Sequence, residues 1–417
     1  MLQMERMDLK LNMWAMKHVL IVMSSLLMEA TPLVWGKKLP NCSYPAIYSF
    51  GDSLTDTGNS IAAFPDQFAK VELDPYGTEW PMHGADRYCD GKVLDDFLEF
   101  GFRGTPNYPY LRSIAGVFEY GTNFASAGGS ARNVTGWKPD NGFNTPFSLN
   151  VQLQWFQRYK VRIEVYYYYK NTLGDAAVVA QTLPTEASLN QSLYMVYAGF
   201  HDYFFDLYEK KRTPGEGLDS VPDVTAAITT TIEGLIAAGA LTMLVVNLPP
   251  LGCIPALLTL YSGATGNQYD EYGCLKELNL ITATHNEVLS DEVIKLRAKY
   301  PKVYFYYGNV HDVYTDILKA PSKYNVTHPL KAACGYGGEY NFNEKVQCGE
   351  TGYVGNKFVN LTKVDHAVAA KYLSYDGIHL SNTANKAIAK AFFDAKHITP
   401  AGGFKCTPDY SRFDGRT

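Results

Sequence analysis

The chain has no Cys-x-x-Cys pair; its seven cysteines, Cys42, Cys89, Cys253, Cys274, Cys334, Cys348 and Cys406, stand singly. That leaves zinc-ribbon and thioredoxin-like readings without support. It has no Gly-x-x-x-x-Gly-Lys loop to cradle a phosphate. It has no long basic run, and its net charge is −5, so it offers no electrostatic footprint for nucleic acid. Its one apolar run of note, Val19 to Met28, is too short to cross a bilayer, so no stable membrane insertion is expected. Repeats, low-complexity linkers and composition shifts are missing too. The expectation is one domain over residues 37–417 rather than two. What the chain does have is apolar residues, 46% of the total, enough for a full core. It also has 31 tyrosines; Tyr166-Tyr167-Tyr168-Tyr169 cannot all face inward on any regular element.

The apolar run follows Lys17-His18 and precedes Val34 and Gly36, the layout of a signal peptide over residues 1–36 cut after Gly36. The residues before Met16 are not needed for targeting, and translation from Met16 is the alternative start. Sequons at Asn41, Asn133, Asn190, Asn325 and Asn360 point the same way, to a secreted or vacuolar glycoprotein. In an oxidising compartment the cysteines read as disulfides plus one leftover thiol. Cys253–Cys274 and Cys334–Cys348 each close a short loop and are the expected pairs.

Five segments read as buried strands: about 45–50, 118–124, 193–198, 241–247 and 303–307. Helical spacing marks Val221 to Ala240, Leu275 to Tyr300 and Ala384 to Ala395. Strand–helix alternation of this length predicts an α/β fold, a parallel sheet covered on both faces. The stretches 60–92, 130–150 and 320–370 read as loops around a site.

The chemistry concentrates at Phe50-Gly51-Asp52-Ser53-Leu54-Thr55-Asp56-Thr57-Gly58-Asn59, directly after the first strand. A serine where a strand of a parallel sheet ends is placed to act as a nucleophile. Far downstream, Asp376-Gly377-Ile378-His379 puts a carboxylate and an imidazole on one turn. Serine, histidine and aspartate are the parts of a nucleophilic triad, here in the order Ser…Asp…His. The chain resembles the plant GDSL esterase/lipases, a branch of the SGNH hydrolases, over roughly residues 42–398. That resemblance implies a flavodoxin-like three-layer α/β/α sandwich around a five-stranded parallel sheet. It implies a carboxylic-ester hydrolase acting on small acyl or acetyl esters through an acyl-enzyme, with no cofactor and no metal.

Under that reading Ser53 attacks the acyl carbon, His379 moves the proton and Asp376 orients His379. The backbone N–H of Ser53 and that of Gly128, in Asn123-Phe124-Ala125-Ser126-Ala127-Gly128-Gly129-Ser130, would face the oxyanion. The family's third donor is an asparagine in Gly-x-Asn-Asp; here the matching run is Gly199-Phe200-His201-Asp202, and His201 replaces it. Arg87 to Lys92, Leu248 to Cys253 and Gly335 to Phe342 also match, and read as turns and packing. In related plant enzymes a second cysteine often stands where this chain has Ala333, so the partners of the remaining cysteines stay open. Asp52, Asp56 and Asp202 read as structural acceptors, and His285, within an apolar helix, as a core residue. His83, His311, His328, His366 and His397 have no telling context. Two alternatives keep the same pattern: a silent binding protein, favoured by His201, and an acyltransferase passing the acyl group to an alcohol.

Overall fold

The computed structural model describes residues 44–81, 85–112, 116–138, 144–173, 182–261, 263, 268–404, 408 and 410–413, with the side chains of 170–173 left aside. The stretch 1–36 read as a signal peptide, with Met16, and Asn41, Cys42, His83 and Cys406 lie outside them.

The central sheet is built from β1 (Ile47–Gly51), β2 (Gly121–Asn123), β3 (Leu193–Tyr197), β4 (Thr242–Val246), β5 (Tyr304–Gly308) and β6 (Ile398–Thr399). Its order is β6-β5-β4-β3-β1-β2. The first five strands are parallel, as expected. β6 adds an antiparallel edge that the sequence reading did not foresee. Without it the order is 2-1-3-4-5, the flavodoxin-like arrangement, in which ligands bind beyond the carboxyl ends beside the strand where the order reverses. That strand is β1, paired on one side with β2 (Ile47 opposite Gly121) and on the other with β3 (Ile47 opposite Leu193).

Successive side chains of β1 leave on opposite faces of the sheet. Tyr48 and Phe50 meet Phe156 of α2 (Leu149–Leu173). Ser49 meets Asp95 of α1 (Leu94–Phe102) on the other face. The layer of α2 continues through α3 (Val221–Ala237) and α4 (Lys276–Lys299); the layer of α1 continues through α6 (Asn382–Phe393) to α5 (Val310–Lys319). This is a three-layer α/β/α sandwich. Tyr48, Phe50, Tyr194 and Phe156 are all fully buried, and each such side chain contributes roughly 1.5–3 kcal/mol of transfer free energy.

Three corrections to the sequence reading concern elements it passed over. α1, α2 and α5 were not expected. The stretch 60–92 carries short helices at Asn59–Ala63 and Pro65–Phe68. The stretch 320–370 carries His328–Ala332, which pairs with Tyr372–Ser374, and a hairpin of Thr351–Val354 with Lys357–Asn360. Tyr168 and Tyr169 project into solvent from α2. The disulfides Cys253–Cys274 and Cys334–Cys348 are formed, and Cys89 is a buried free thiol. No helix among the described residues is long and apolar enough to cross a membrane.

Candidate active site

Three turns meet beyond the carboxyl ends of β1, β2 and β3. The turn after β1 carries Ser53, the turn after β2 carries Gly128, and the turn after β3 carries His201. Three buried aspartates tie these turns to one another. Asp52 accepts from its own turn at Leu54 N (3.1 Å) and from His201 N (3.2 Å). Asp56 accepts from Asn59 N (2.7 Å) and from Ala127 N (2.7 Å). Asp202 accepts from Ala131 N (2.6 Å) and from Arg132 Nε (2.9 Å). Each brace crosses from one turn to another, which is the structural role read for these residues. Behind them the Gln152 amide of α2 donates to Gly51 O (2.8 Å) and accepts from Gly51 N (2.9 Å), fixing the strand end just before the Ser53 turn.

His379 arrives from the other end of the chain. The Asp376–His379 turn needs Gly377, whose φ is +91° and where an added Cβ would lie 2.3 Å from the Phe342 ring. His379 Nε2 lies 2.8 Å from Ser53 Oγ, and Nδ1 lies 2.7 Å from Asp376 Oδ2. Asp376 Oδ1 also accepts from Ile378 N (2.9 Å) and His379 N (2.8 Å). Burial by itself would raise the Asp376 carboxyl; the charge and hydrogen bond of His379, with the two backbone donors, hold it far below the usual carboxylate range. An ionised Asp376 can only accept. Nδ1 therefore carries the ring proton, and Nε2 is the lone pair that accepts from the Ser53 hydroxyl.

Tyr76 was not singled out from the sequence, and Tyr88 lies in the run Arg87 to Lys92 that was read as turns and packing. Tyr76 Oη donates to Asp376 Oδ2 at 3.0 Å, the same oxygen that faces His379. The Tyr88 ring stacks on the His379 ring at 4.6 Å between centroids and 25° between planes. Their place beside His379 was not legible, because it depends on a long irregular path with no period to read. Tyr76→Phe removes one donor that holds the Asp376 carboxylate in place against His379. The expected result is a fall in kcat of less than about tenfold, within the range of a hydrogen bond to a charged group. An unchanged kcat would reduce Tyr76 to packing.

The three turns and the His379 turn enclose a narrow cavity of about 30 Å3, lined by Ser53, Gly128, His201 and His379 together with apolar rings such as Phe68 and Phe204. Gly128 has a φ of +73°, the left-handed region that favours glycine. His201 is 5% exposed, stacks on Phe205 and leaves Nε2 without a partner among the described residues. Burial first, then the charge of His379, push its imidazole down to about 3, so it is neutral at ordinary pH. Among the other histidines, His285 is fully buried with Nδ1 2.8 Å from Tyr203 Oη, the core role read for it. His397 pairs with Asp316, and His328 lies against Tyr372. The sequon residues Asn133, Asn190, Asn325 and Asn360 are exposed.

The family model described as GDSL-like Lipase/Acylhydrolase matches residues 47–392. A GDSL esterase/lipase of Arabidopsis thaliana is 34% identical over 90% of this chain and 94% of its own. A second from the same plant is 32% identical over 87% and 88%. A protein named Esterase from Hevea brasiliensis is 30% identical over 85% of each chain. The turns that carry Ser53, Gly128, His201 and His379 all lie within the matched span, and the chain belongs to the GDSL-like lipase/acylhydrolase family.

Proposed function

We propose that the protein hydrolyses carboxylic esters of short acyl groups through an acyl-serine intermediate. The observation that carries this reading is the continuous relay Ser53 Oγ–His379–Asp376, at 2.8 and 2.7 Å, opening onto a cavity with an unpartnered imidazole nitrogen. Ser53 Oγ attacks the acyl carbon while His379 Nε2 takes its proton. The oxyanion faces the backbone N–H groups of Ser53 and Gly128 and the Nε2–H of His201. His379 returns the proton to the departing alcohol, and water then repeats the sequence to free the acid. The alternative of a silent binding protein is disfavoured because His201 retains a donor where the family's asparagine has one. The names of the curated relatives, GDSL esterase/lipase and Esterase, support the same reaction class.

The narrowness of the cavity supports a short acyl group. Each ordered water needs roughly 10–15 Å3 by the same measure, so the space holds only a few heavy atoms. A series of p-nitrophenyl esters tests this: kcat/KM should be highest for acetate and fall by about tenfold or more by the octanoate, as the chain outgrows the cavity. A rising profile with chain length would contradict it.

We further propose that the chain is secreted or vacuolar and glycosylated. Two disulfides, four exposed sequons and the apolar leader support this. Material recovered from the native host should start near Lys37 and lose mass on glycosidase treatment; an unprocessed, unmodified cytosolic chain would sink the proposal.

A further inference from the structure

The cavity onto which Ser53 and His379 open carries a cation that the reaction as described does not use. Lys70 lines it, beside Gln347, where the rest of the wall is largely aromatic. Lys70 belongs to the short 3-10 helix Ala69–Glu72, directly after Phe68. Its Nζ lies 5.7 Å from the centre of the Tyr88 ring, and that ring stacks on His379. The ammonium therefore sits one aromatic ring away from the base. Gly349 closes on the stem of Lys70, next to the Cys334–Cys348 disulfide: a Cβ added there would lie 3.6 Å from Lys70 Cβ and 3.6 Å from the Tyr76 ring. The side chain is half-buried, so its charge is held at the cavity and not spread through solvent.

Burial lowers the Lys70 ammonium from its ordinary range, and the charges of Asp376 and Glu350 draw it part of the way back. Asp376 cannot turn towards it, because its oxygens already accept from His379, Tyr76 and two backbone groups. Glu350 Oε2 accepts from Gln347 N at 2.9 Å. A lysine placed this way gains from one more anion, whose charge offsets part of its desolvation. The other charge on the wall outside the relay is Glu209, which is exposed and screened by solvent. The space is small, about 30 Å3. An acyl group bonded to Ser53 Oγ shares that space with Lys70, so a short chain brings its far end to the ammonium.

We infer that Lys70 is a specificity-determining residue: it receives a second carboxylate at the far end of the acyl group, and the preferred substrate is a half-ester of a short dicarboxylic acid such as malonic acid. This rests on the ester-hydrolase reading above and names the acyl class. The second carboxylate takes no part in the bond changes. The bond from Ser53 Oγ to the ester carbon forms as the bond from that carbon to the alcohol oxygen breaks. The proton taken from Ser53 leaves on that oxygen through His379, and water then releases the dicarboxylic acid.

The test uses the full mature protein and three ethyl esters of equal acyl size. Ethyl hydrogen malonate carries a carboxylate, ethyl acetoacetate a neutral acceptor, and ethyl isovalerate neither. The readout is the ratio of kcat/KM for each of the first two to that for isovalerate. A variant that folds only in part scales all three rates alike and leaves these ratios untouched. Lys70→Met keeps the length and removes the charge. It should lower the malonate ratio by about tenfold or more, the worth of a charge-assisted hydrogen bond, and hold the acetoacetate ratio within about threefold. The loss should fall on KM, because the carboxylate is bound alike in the ground and transition states. Lys70→Arg keeps the charge and should hold more of the malonate ratio than Lys70→Met does. A malonate ratio that Lys70→Met leaves alone, or malonate and acetoacetate ratios that fall together, would overturn the inference and leave the esterase reading intact. No hydrolysis of p-nitrophenyl acetate at all, with no covalent labelling at Ser53, would overturn both.

Discussion

Ser53→Ala is expected to lower kcat on p-nitrophenyl acetate by about 10^5–10^6-fold, close to 7–8 kcal/mol of transition-state stabilisation. The size follows from the relay acting as a unit. Without Oγ, His379 has no proton to take and Asp376 orients a base with no task. The rate that remains over water should come from binding and from the oxyanion donors, which the substitution leaves in place. The fold should barely notice. Ser53 is buried, but its hydroxyl meets only His379 Nε2 among the hydrogen bonds described for it, and deleting one oxygen leaves a small gap. A thermal midpoint within a few degrees of the parent, beside lost activity, separates chemistry from unfolding. A variant that keeps a tenth of the parent rate would place the nucleophile elsewhere.

The second large effect is expected at His201. If its Nε2–H faces the oxyanion, His201→Ala should lower kcat by about 10^2–10^3-fold with little change in KM, because the interaction strengthens only in the transition state. His201→Asn restores a side-chain N–H donor and should recover activity to within about tenfold of the parent. Activity unchanged in His201→Ala would show that Ser53 and Gly128 suffice.

The pH behaviour gives an independent check. His201 titrates near 3 when folded, because of burial and the nearby His379, against an ordinary value of 6.5. It is therefore neutral across the working range, and His201→Asn should leave the acid limb of kcat/KM where the parent has it. Stability should respond differently. Below about pH 6.5 the unfolded chain takes up a proton at His201 that the folded chain refuses, so folded stability falls as pH falls towards 3. His201→Asn removes that loss. Urea unfolding at about pH 7 and again at about pH 5 should show the variant losing less, by on the order of 2 kcal/mol. The same loss in both proteins would mean that His201 is solvated rather than buried.

The parts of this site legible in the sequence are those held by short, local geometry. A serine at the end of a buried strand and an Asp-x-x-His turn both keep their meaning without the rest of the fold. The five parallel strands were legible for a similar reason: each is a short apolar run bounded by turn residues. What escaped depends on distant partners. α1 carries Asp95, Asp96 and Glu99 among its apolar residues, and all three are buried, held by the distant Ser49, Arg87 and Asn107. The tyrosines of α2 blur its periodicity, because two of them face solvent where a helix period would put polar residues. β6 is a two-residue edge, too short for any alternation to register. Tyr76 and Tyr88 reach the triad from a stretch whose path follows from packing, not from period.

The central claim is that Ser53 is an activated nucleophile, and covalent labelling tests it most directly. Intact protein treated with a fluorophosphonate should gain the mass of one adduct, mapped to the peptide containing Ser53. Ser53→Ala should abolish the labelling. A folded protein that takes no adduct at neutral pH, or takes it equally well without Ser53, would contradict the account.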